Sequence, residues 1–199
     1  QKSDSFIMKH LYNRAQHNFS FVRPFIEGDH VLDIGAAEGW TGDMIKRDST
    51  GRDVHLLDIA DFNQSDLPLT LYDGHTFPFE DNSFDTSLML LILHHCTDPD
   101  KVLSEAVRVT RKRLIITESV YNFKAGRAML FMADNIVNGL RTNAKMARGL
   151  KFRTTAHWEE RFSQTGLILT HKQWVSKGFH KHILYVLDVD RTDNGFNFN

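Results

Sequence analysis

Three carboxylates and one run of small residues are the part of this 199-residue chain whose types and spacing could do chemistry. The stretch His30-Val31-Leu32-Asp33-Ile34-Gly35-Ala36-Ala37-Glu38-Gly39-Trp40 starts as an apolar run with a carboxylate inside it. It then turns through small residues into a segment, Trp40 to Arg47, that suits a helix. A short apolar run of this kind fits a strand buried on both faces, and Gly35 allows a turn that a side chain would block. The free N–H groups of the helix would then face the strand end, in the crevice where open α/β sheets bind ligands. A dinucleotide loop needs G-x-G-x-x-G so that pyrophosphate and helix can approach closely. Read from Gly35, those positions hold Ala37 and Trp40, and an indole there argues against a pyrophosphate cradle. No Gly-Lys-Ser/Thr is present, which excludes a P-loop. A nucleoside without phosphates fits the loose glycine pattern better.

Two further acids follow at spaced run ends. Asp58 closes Val54-His55-Leu56-Leu57-Asp58, and a carboxylate there can accept hydrogen bonds from both hydroxyls of a ribose. The plain alternative is a solvated acid at a strand end. Asp73 follows Leu69-Thr70-Leu71-Tyr72 and could accept the amino group of adenine, with Gly74 and His75 offering backbone contacts. The alternative there is a simple Asp-Gly turn.

The Asp33–Gly39 stretch resembles motif I of the class I methyltransferases, which bind S-adenosylmethionine, with Ala37 in place of the middle glycine of D-x-G-x-G-x-G. The segment Tyr72 to Asp85 resembles the D-x-x-x-L-P-F-x-D-x-S-F-D region of the small-molecule group that includes ubiquinone- and sterol-type enzymes. Leu93-His94-His95, Asp98-Pro99 and Glu105-Ala106-Val107-Arg108-Val109 continue the match, which covers residues 30 to 121. The resemblance implies that Asp33, Gly35, Ala36, Ala37 and Gly39 wrap the methionine part of S-adenosylmethionine. Asp58 and Ile59 would hold ribose and one adenine edge, Asp73 and Gly74 would meet the adenine, and Leu90 would lie under the sulfonium.

Methyl transfer asks mainly for alignment of a nucleophile with the S–CH₃ bond. A general base helps only where the acceptor must lose a proton. The candidates for that role lie after the fourth and fifth strands: His94, His95, Glu118 and Tyr121. Histidine suits it through an unperturbed pKa of about 6.5, although the Leu-His-His histidines can equally serve as structural hydrogen-bonding groups. No metal is expected. His180 and His182 share a strand face within reach of His171 across a hairpin, but no carboxylate or cysteine stands at ligand spacing. Cys96 reads as a small buried filler.

The elements that position these residues follow from periodicity. Residues 3 to 27 suit one or two helices, with Phe6, Ile7, Leu11, Phe19, Val22 and Ile26 as apolar contacts and Pro24 ending or kinking the second. Strands are expected at 30–34, 54–58, 69–72, 84–92, 114–118, 167–174 and 183–188. Too few residues separate Asp58 from Leu69 for a full crossover helix, so that connection should be irregular. Asp98 can cap a helix with Pro99 at its first position. Further helices are expected over 125–140 and 157–165. This alternation means α/β with a mostly parallel seven-stranded, Rossmann-like sheet, helices on both faces and an antiparallel edge.

Composition bounds the rest. The length suits one domain, with residues 1–27 as a helical cap and 122–155 as an inserted lid over the acceptor pocket. Met129, Phe131 and Met132 could form an apolar face of that lid, or pack as core. A net charge of −1 gives no global attraction to nucleic acid or membrane. The run Arg141, Lys145, Arg148, Lys151 and Arg153 could meet an anionic substrate or an RNA backbone, or form a solvated face. One cysteine excludes an internal disulfide and fits a reducing cytoplasm. No apolar run nears the roughly 20 residues of a membrane helix. Lys2, Asp4, Lys9 and His10 break any signal-peptide pattern. The expectation is a cytoplasmic methyltransferase acting on a small-molecule acceptor. The rivals are an RNA methyltransferase, a non-catalytic cofactor-binding adaptor and, disfavoured by Ala37 and Trp40, a nicotinamide oxidoreductase.

Overall fold

The computed structural model describes residues 2–121, 151–176 and 181–190. Its seven strands are β1 (His30–Ile34), β2 (Asp53–Asp58), β3 (Leu69–Leu71), β4 (Phe84–Leu90), β5 (Thr110–Val120), β6 (Leu167–Trp174) and β7 (Lys181–Val189). They form one sheet in the order β3-β2-β1-β4-β5-β7-β6. Pairing is parallel from β3 through β5, and β7 runs antiparallel to both β5 and β6. The expected closing hairpin is therefore present, with β7 as the reversed strand and β6 on the rim. Strand order changes direction between β1 and β4, and the crevice at their carboxyl ends is the natural ligand position in such a sheet.

Alternation along the strands splits the apolar residues between two layers. Leu32, Ile34, Met89, Leu114, Ile116, Tyr185 and Leu187 face α3 (Pro99–Val109) and α4 (Thr155–Gln164), whose Val102, Leu103, Ala106, Trp158 and Phe162 complete that core. Val31, Val54, Leu88, Ile115, Leu184 and Val186 face the other way, with Val22 of α1 (Lys2–Val22) and Ile45 of α2 (Trp40–Asp48). Each such fully buried aliphatic side chain contributes on the order of 1.5–3 kcal/mol.

The N-terminal stretch is one 21-residue helix, and Pro24 sits in the 3-10 turn Arg23–Phe25 that follows it. α3 begins as expected: Asp98 accepts from the Lys101 amide at 3.0 Å and Pro99 holds the first position. No helix joins β2 to β3, in agreement with the short spacing. Several strand ends differ from expectation: β3 is one residue shorter and β2 and β7 are longer. β4 stops at Leu90 because Leu91 turns into the left-handed region at φ 62°. β5 reaches back to Thr110 because its charged start is neutralised: Arg111 and Lys112 pair with Asp85, and Arg113 pairs with Asp188 and Glu27. The helix expected over 125–140 lies outside the described residues.

Candidate functional site

The turn after β1 alternates left-handed and ordinary residues: Gly35, Ala37 and Gly39 have φ of 69°, 51° and 74°. It is tied to the tip of β2. The Gly35 amide donates to the Leu57 carbonyl at 2.7 Å, and the Ala37 amide to Asp58 Oδ2 at 2.9 Å. A methyl group on Gly35 would lie 2.5 Å from the Ile92 side chain, and one on Gly39 would lie 2.6 Å from Asn63 Oδ1. Gly35 and Gly39 are thus required by both dihedral and space. Ala37 meets the same dihedral demand with a Cβ, a strained choice for an L-residue.

Asp33 and Asp58 stand on the face of the sheet that α1 and α2 cover, at the carboxyl ends of β1 and β2. Asp33 is only 3% exposed. Burial, then the neighbouring Asp58 charge, push its carboxyl up to about 7, against the opposing pull of the Gly42 amide. Burial also raises Asp58, although the amides of Ala37, Ile59 and Ala60 draw it back. Asp58 Oδ1 accepts from Ile59 at 2.7 Å, so both of its oxygens already shape the local backbone. Asp73 follows β3 and is exposed. Its Oδ1 accepts from the amides of His75 and Thr76, both at 2.8 Å, and those amides, Thr76 first, hold its carboxyl below the ordinary value. The Asp-Gly turn considered from sequence is therefore real. Beside it, Ile59 is 52% exposed and packs near Gly74.

An open hollow of about 400 Å³, adjoining solvent included, lies at the switch point. Asp33, Gly35, Ala36, Ala37 and Leu90, all singled out from the sequence as cofactor contacts, line it. Gly39 and Asp58 support it through the turn, whereas Ile59, Asp73, Gly74 and His75 sit outside it towards β3. Unforeseen in its wall are Leu11, Arg14, Ala15 and Asn18 of α1, with Glu38, Trp40 and Thr41. Their signal was available: positions 11, 14, 15 and 18 fall on one helical face, and two of them are polar in an otherwise apolar stripe.

The four candidate proton acceptors have different surroundings, and none lines the hollow. His94 and Glu118 are 2% and 0% exposed. His94 Nδ1 lies 2.7 Å from Glu118 Oε2, while the Leu93 amide donates to Oε1 at 2.8 Å. His94 also stacks on Phe152 at 4.8 Å and lies 4.1 Å from the ring of His95. This is a closed, hydrogen-bonded pair that fixes the end of β5 to the turn after β4. His95 and Tyr121 are half-buried.

Other singled-out groups are consumed by the scaffold. Burial pushes Cys96 up to about 12, which leaves the thiol without nucleophilic character at neutral pH. Arg153 forks onto Asp100 at 3.0 Å and 3.1 Å, and Arg161 joins the same carboxylate. Lys151 Nζ donates to the Thr97 carbonyl. Arg141, Lys145, Arg148, Met129, Phe131, Met132 and His180 lie outside the described residues. His171 stacks on Phe25 and pairs across from Val186, not His182. No cluster of three metal-ligating side chains occurs among the described residues. The motif residues Glu105, Arg108 and Asp85 also prove structural. Arg108 reaches the carbonyls of Phe77 and Phe79 and the carboxylate of Asp81, and Glu105 accepts from the Phe77 amide. Asp85 accepts from the amides of Asp29 and His30.

A doubly wound sheet with this order, a left-handed small-residue turn after β1 and acids at the first two strand tips define a Rossmann-like α/β domain. Residues 32–116 match the methyltransferase domain family, the same region in which the motifs resemble the class I methyltransferases. The segment is 29% identical over 102 residues to the demethylmenaquinone methyltransferase of Renibacterium salmoninarum, covering 47% of this chain and 42% of that protein. It is 32% identical over 100 residues to that of Paenarthrobacter aurescens, covering 46% and 39%. The chain thus spans about two-fifths of the length of these curated relatives. Among solved structures, a chain from the complex of a Haloferax volcanii methyltransferase activator and its methyltransferase superposes with TM-score 0.72 at 15% identity, covering 94% of this chain and 95% of that one. Magnesium protoporphyrin IX methyltransferase from Synechocystis PCC 6803, with bound SAH, gives 0.64 at 13% identity, covering 96% and 88%. The [4+2]-cyclase SpnF gives the same TM-score at 13% identity, covering 90% and 80%.

Proposed function

We propose that this chain is an S-adenosylmethionine-dependent methyltransferase that alkylates a small-molecule acceptor by in-line displacement. One observation carries the reading: the buried Asp33 and the Asp58-braced turn meet at the switch point around a hollow whose inner wall includes Leu90. The residues fit the cofactor. Methyl groups on Gly35 or Gly39 would collide with their neighbours, so the backbone there is kept open, and a buried acid suits an ammonium group. Asp33, Gly35, Ala36, Ala37 and Gly39 would hold the methionine part, with Leu90 beneath the sulfonium. Asp58 and Ile59 would hold ribose and one adenine edge, and Asp73, Gly74 and His75 the outer rim. When bound, the cofactor supplies an electrophilic methyl group on a good leaving group. The protein's share is to align the acceptor and exclude water, and alignment can be worth about 7–11 kcal/mol. Where the acceptor must lose a proton, His95 and Tyr121 are the assigned acceptors, and His94 and Glu118 hold each other in place.

The named activity of the curated relatives, methylation of demethylmenaquinone, makes an aromatic ring acceptor the first class to test. The whole chain is read as one methyltransferase domain, with 1–27 as its helical cap and 122–155 as its insertion. The RNA alternative loses support because Arg153 and Lys151 are engaged internally. Residence in the cytoplasm accords with a chain in which no helix among the described residues is long and apolar enough to cross a membrane. Because a cyclase shares the fold, methyl transfer itself must be measured. Calorimetry with S-adenosylhomocysteine should show saturable binding, and a labelled-methyl assay over hydroxylated and quinol rings should show transfer. No binding at millimolar ligand would overturn the proposal; binding without transfer to any acceptor would favour a non-catalytic adaptor.

A further inference from the structure

β5 carries two hydroxyl side chains to the carboxyl end of the sheet, on the face that α1 covers. Alternation along the strand puts Thr117 and Ser119 on the side of Ile115, which packs with Val22, Leu88 and Leu184. Pairing sets Thr117 between Leu90 of β4 and Leu184 of β7, and Ser119 follows nearer the tip, across from His182. Neighbouring strands lie about 4.8 Å apart, so Thr117 stands directly beside Leu90, which lines the hollow. α1 is fastened over this strip by His17, whose Nε2 donates to the Val175 carbonyl at 3.0 Å. Thr117 is 3% exposed, and its hydroxyl has no hydrogen-bond partner among the described residues. Buried hydroxyls elsewhere on these strands are paired: Thr86 donates to the Glu27 carbonyl at 2.7 Å, and Ser87 and Thr110 meet at 2.6 Å. A buried hydroxyl left unpaired destabilises the fold, and a valine at 117 would fill the same space without that penalty. The surroundings, Leu90, Leu184 and Val175, are apolar. An orphaned hydroxyl in an apolar wall, one strand from the hollow, has the form of a contact that a ligand completes.

We infer that the Thr117 hydroxyl, with Ser119 beyond it, is the polar contact that selects the methyl acceptor, and that the acceptor is an apolar ring bearing a hydroxyl or carbonyl oxygen. This assignment rests on the proposed function and adds to it the acceptor side of the hollow. It makes a specific demand: the hydroxyl should matter for an oxygen-bearing ring and not for the cofactor. Protein saturated with S-adenosylhomocysteine is titrated with 1-naphthol, a flat apolar ring with one hydroxyl, and with 1-methylnaphthalene, which has nearly the same shape and no oxygen. Thr117→Val should weaken 1-naphthol by about five- to tenfold and leave 1-methylnaphthalene within twofold. It should also bind S-adenosylhomocysteine within twofold of wild type and melt no lower, since it removes an unpaired hydroxyl. Thr117→Ser should keep the wild-type affinity for 1-naphthol. Should the valine variant fold poorly, nuclear Overhauser contacts between bound 1-naphthol and the Thr117 methyl group of the wild type give an independent readout, and they should be present. Equal changes for both rings, no change for either, no binding of 1-naphthol by the wild type, or no such contacts would overturn the assignment while leaving the methyltransferase reading intact. A wild type that does not bind S-adenosylhomocysteine would remove both.

Discussion

Asp33 should make the empty protein less stable, and removing its charge should show this directly. Burial and Asp58 push its carboxyl from the ordinary 3.8 to about 7, while in the unfolded chain it ionises near its ordinary value. Between these values the unfolded chain releases the proton first, so rising pH favours unfolding by about 1.4 kcal/mol per pH unit. The contribution is complete below about pH 4, is lost progressively as pH climbs, and is gone once pH passes about 7. The difference, on the order of 4 kcal/mol, is an upper bound for the gain from Asp33→Asn at pH 8. The weaker acceptor offered to the Gly42 amide takes back about 1 kcal/mol, leaving a net stabilisation of about 2–3 kcal/mol. Urea denaturation of both proteins at pH 5, 6, 7 and 8 measures it: the stability gap should widen to pH 7 and then level. Parallel profiles, or an asparagine variant no more stable at pH 8, would refute the electrostatic account. The same variant should bind S-adenosylhomocysteine at least about tenfold more weakly, since an ammonium loses its buried counter-charge. Stabilisation with loss of binding would mark Asp33 as a group kept for function at the expense of the apo fold.

Three further tests address the neighbouring structure. Ala37→Gly should raise stability by about 0.5–1 kcal/mol, read as a higher Tm, because φ of 51° strains an alanine and not a glycine; a loss would mean that the methyl group packs usefully. Arg108→Ala should cost about 2–4 kcal/mol in urea denaturation, since it strips the carbonyls of Phe77 and Phe79 and leaves Glu105, 8% exposed at its side chain, without its counter-charge. Glu118→Ala should cost about 2–5 kcal/mol by orphaning the Leu93 amide and His94 Nδ1. Glu118→Gln, which keeps an acceptor for Leu93, should retain both fold and turnover, and a folded variant with normal ligand binding but no methyl transfer would return the pair to the chemistry.

What could be read from the residues was whatever depends on nearest neighbours along the chain. The apolar runs, the Asp98-Pro99 cap, the helix-free link between β2 and β3 and the turn from Asp33 to Gly39 are each set by local sterics and burial. What escaped depends on partners distant in sequence. The charged Arg111-Lys112-Arg113 reads as loop until Asp85, Glu27 and Asp188 are brought beside it, and then it begins a strand. Leu91 carries no sign in its own type that it must turn left-handed, and the residue after it, Ile92, lies against Gly35. Asp73 looks equivalent to Asp33 and Asp58 as a third acid at a strand tip, but an exposed carboxylate with two amides in reach closes on its own loop. The family-like residues Glu105, Arg108 and Asp85 are instructive in the opposite sense. They identified the domain, yet their contacts hold the Phe77–Asp81 loop, the amino end of β1 and the charged start of β5. A motif can therefore be specific for a fold because it solves a scaffolding problem. Arg14, in the wall of the hollow, belongs to no motif at all, because a helix laid across this crevice supplies its polar side chains from its own inward face.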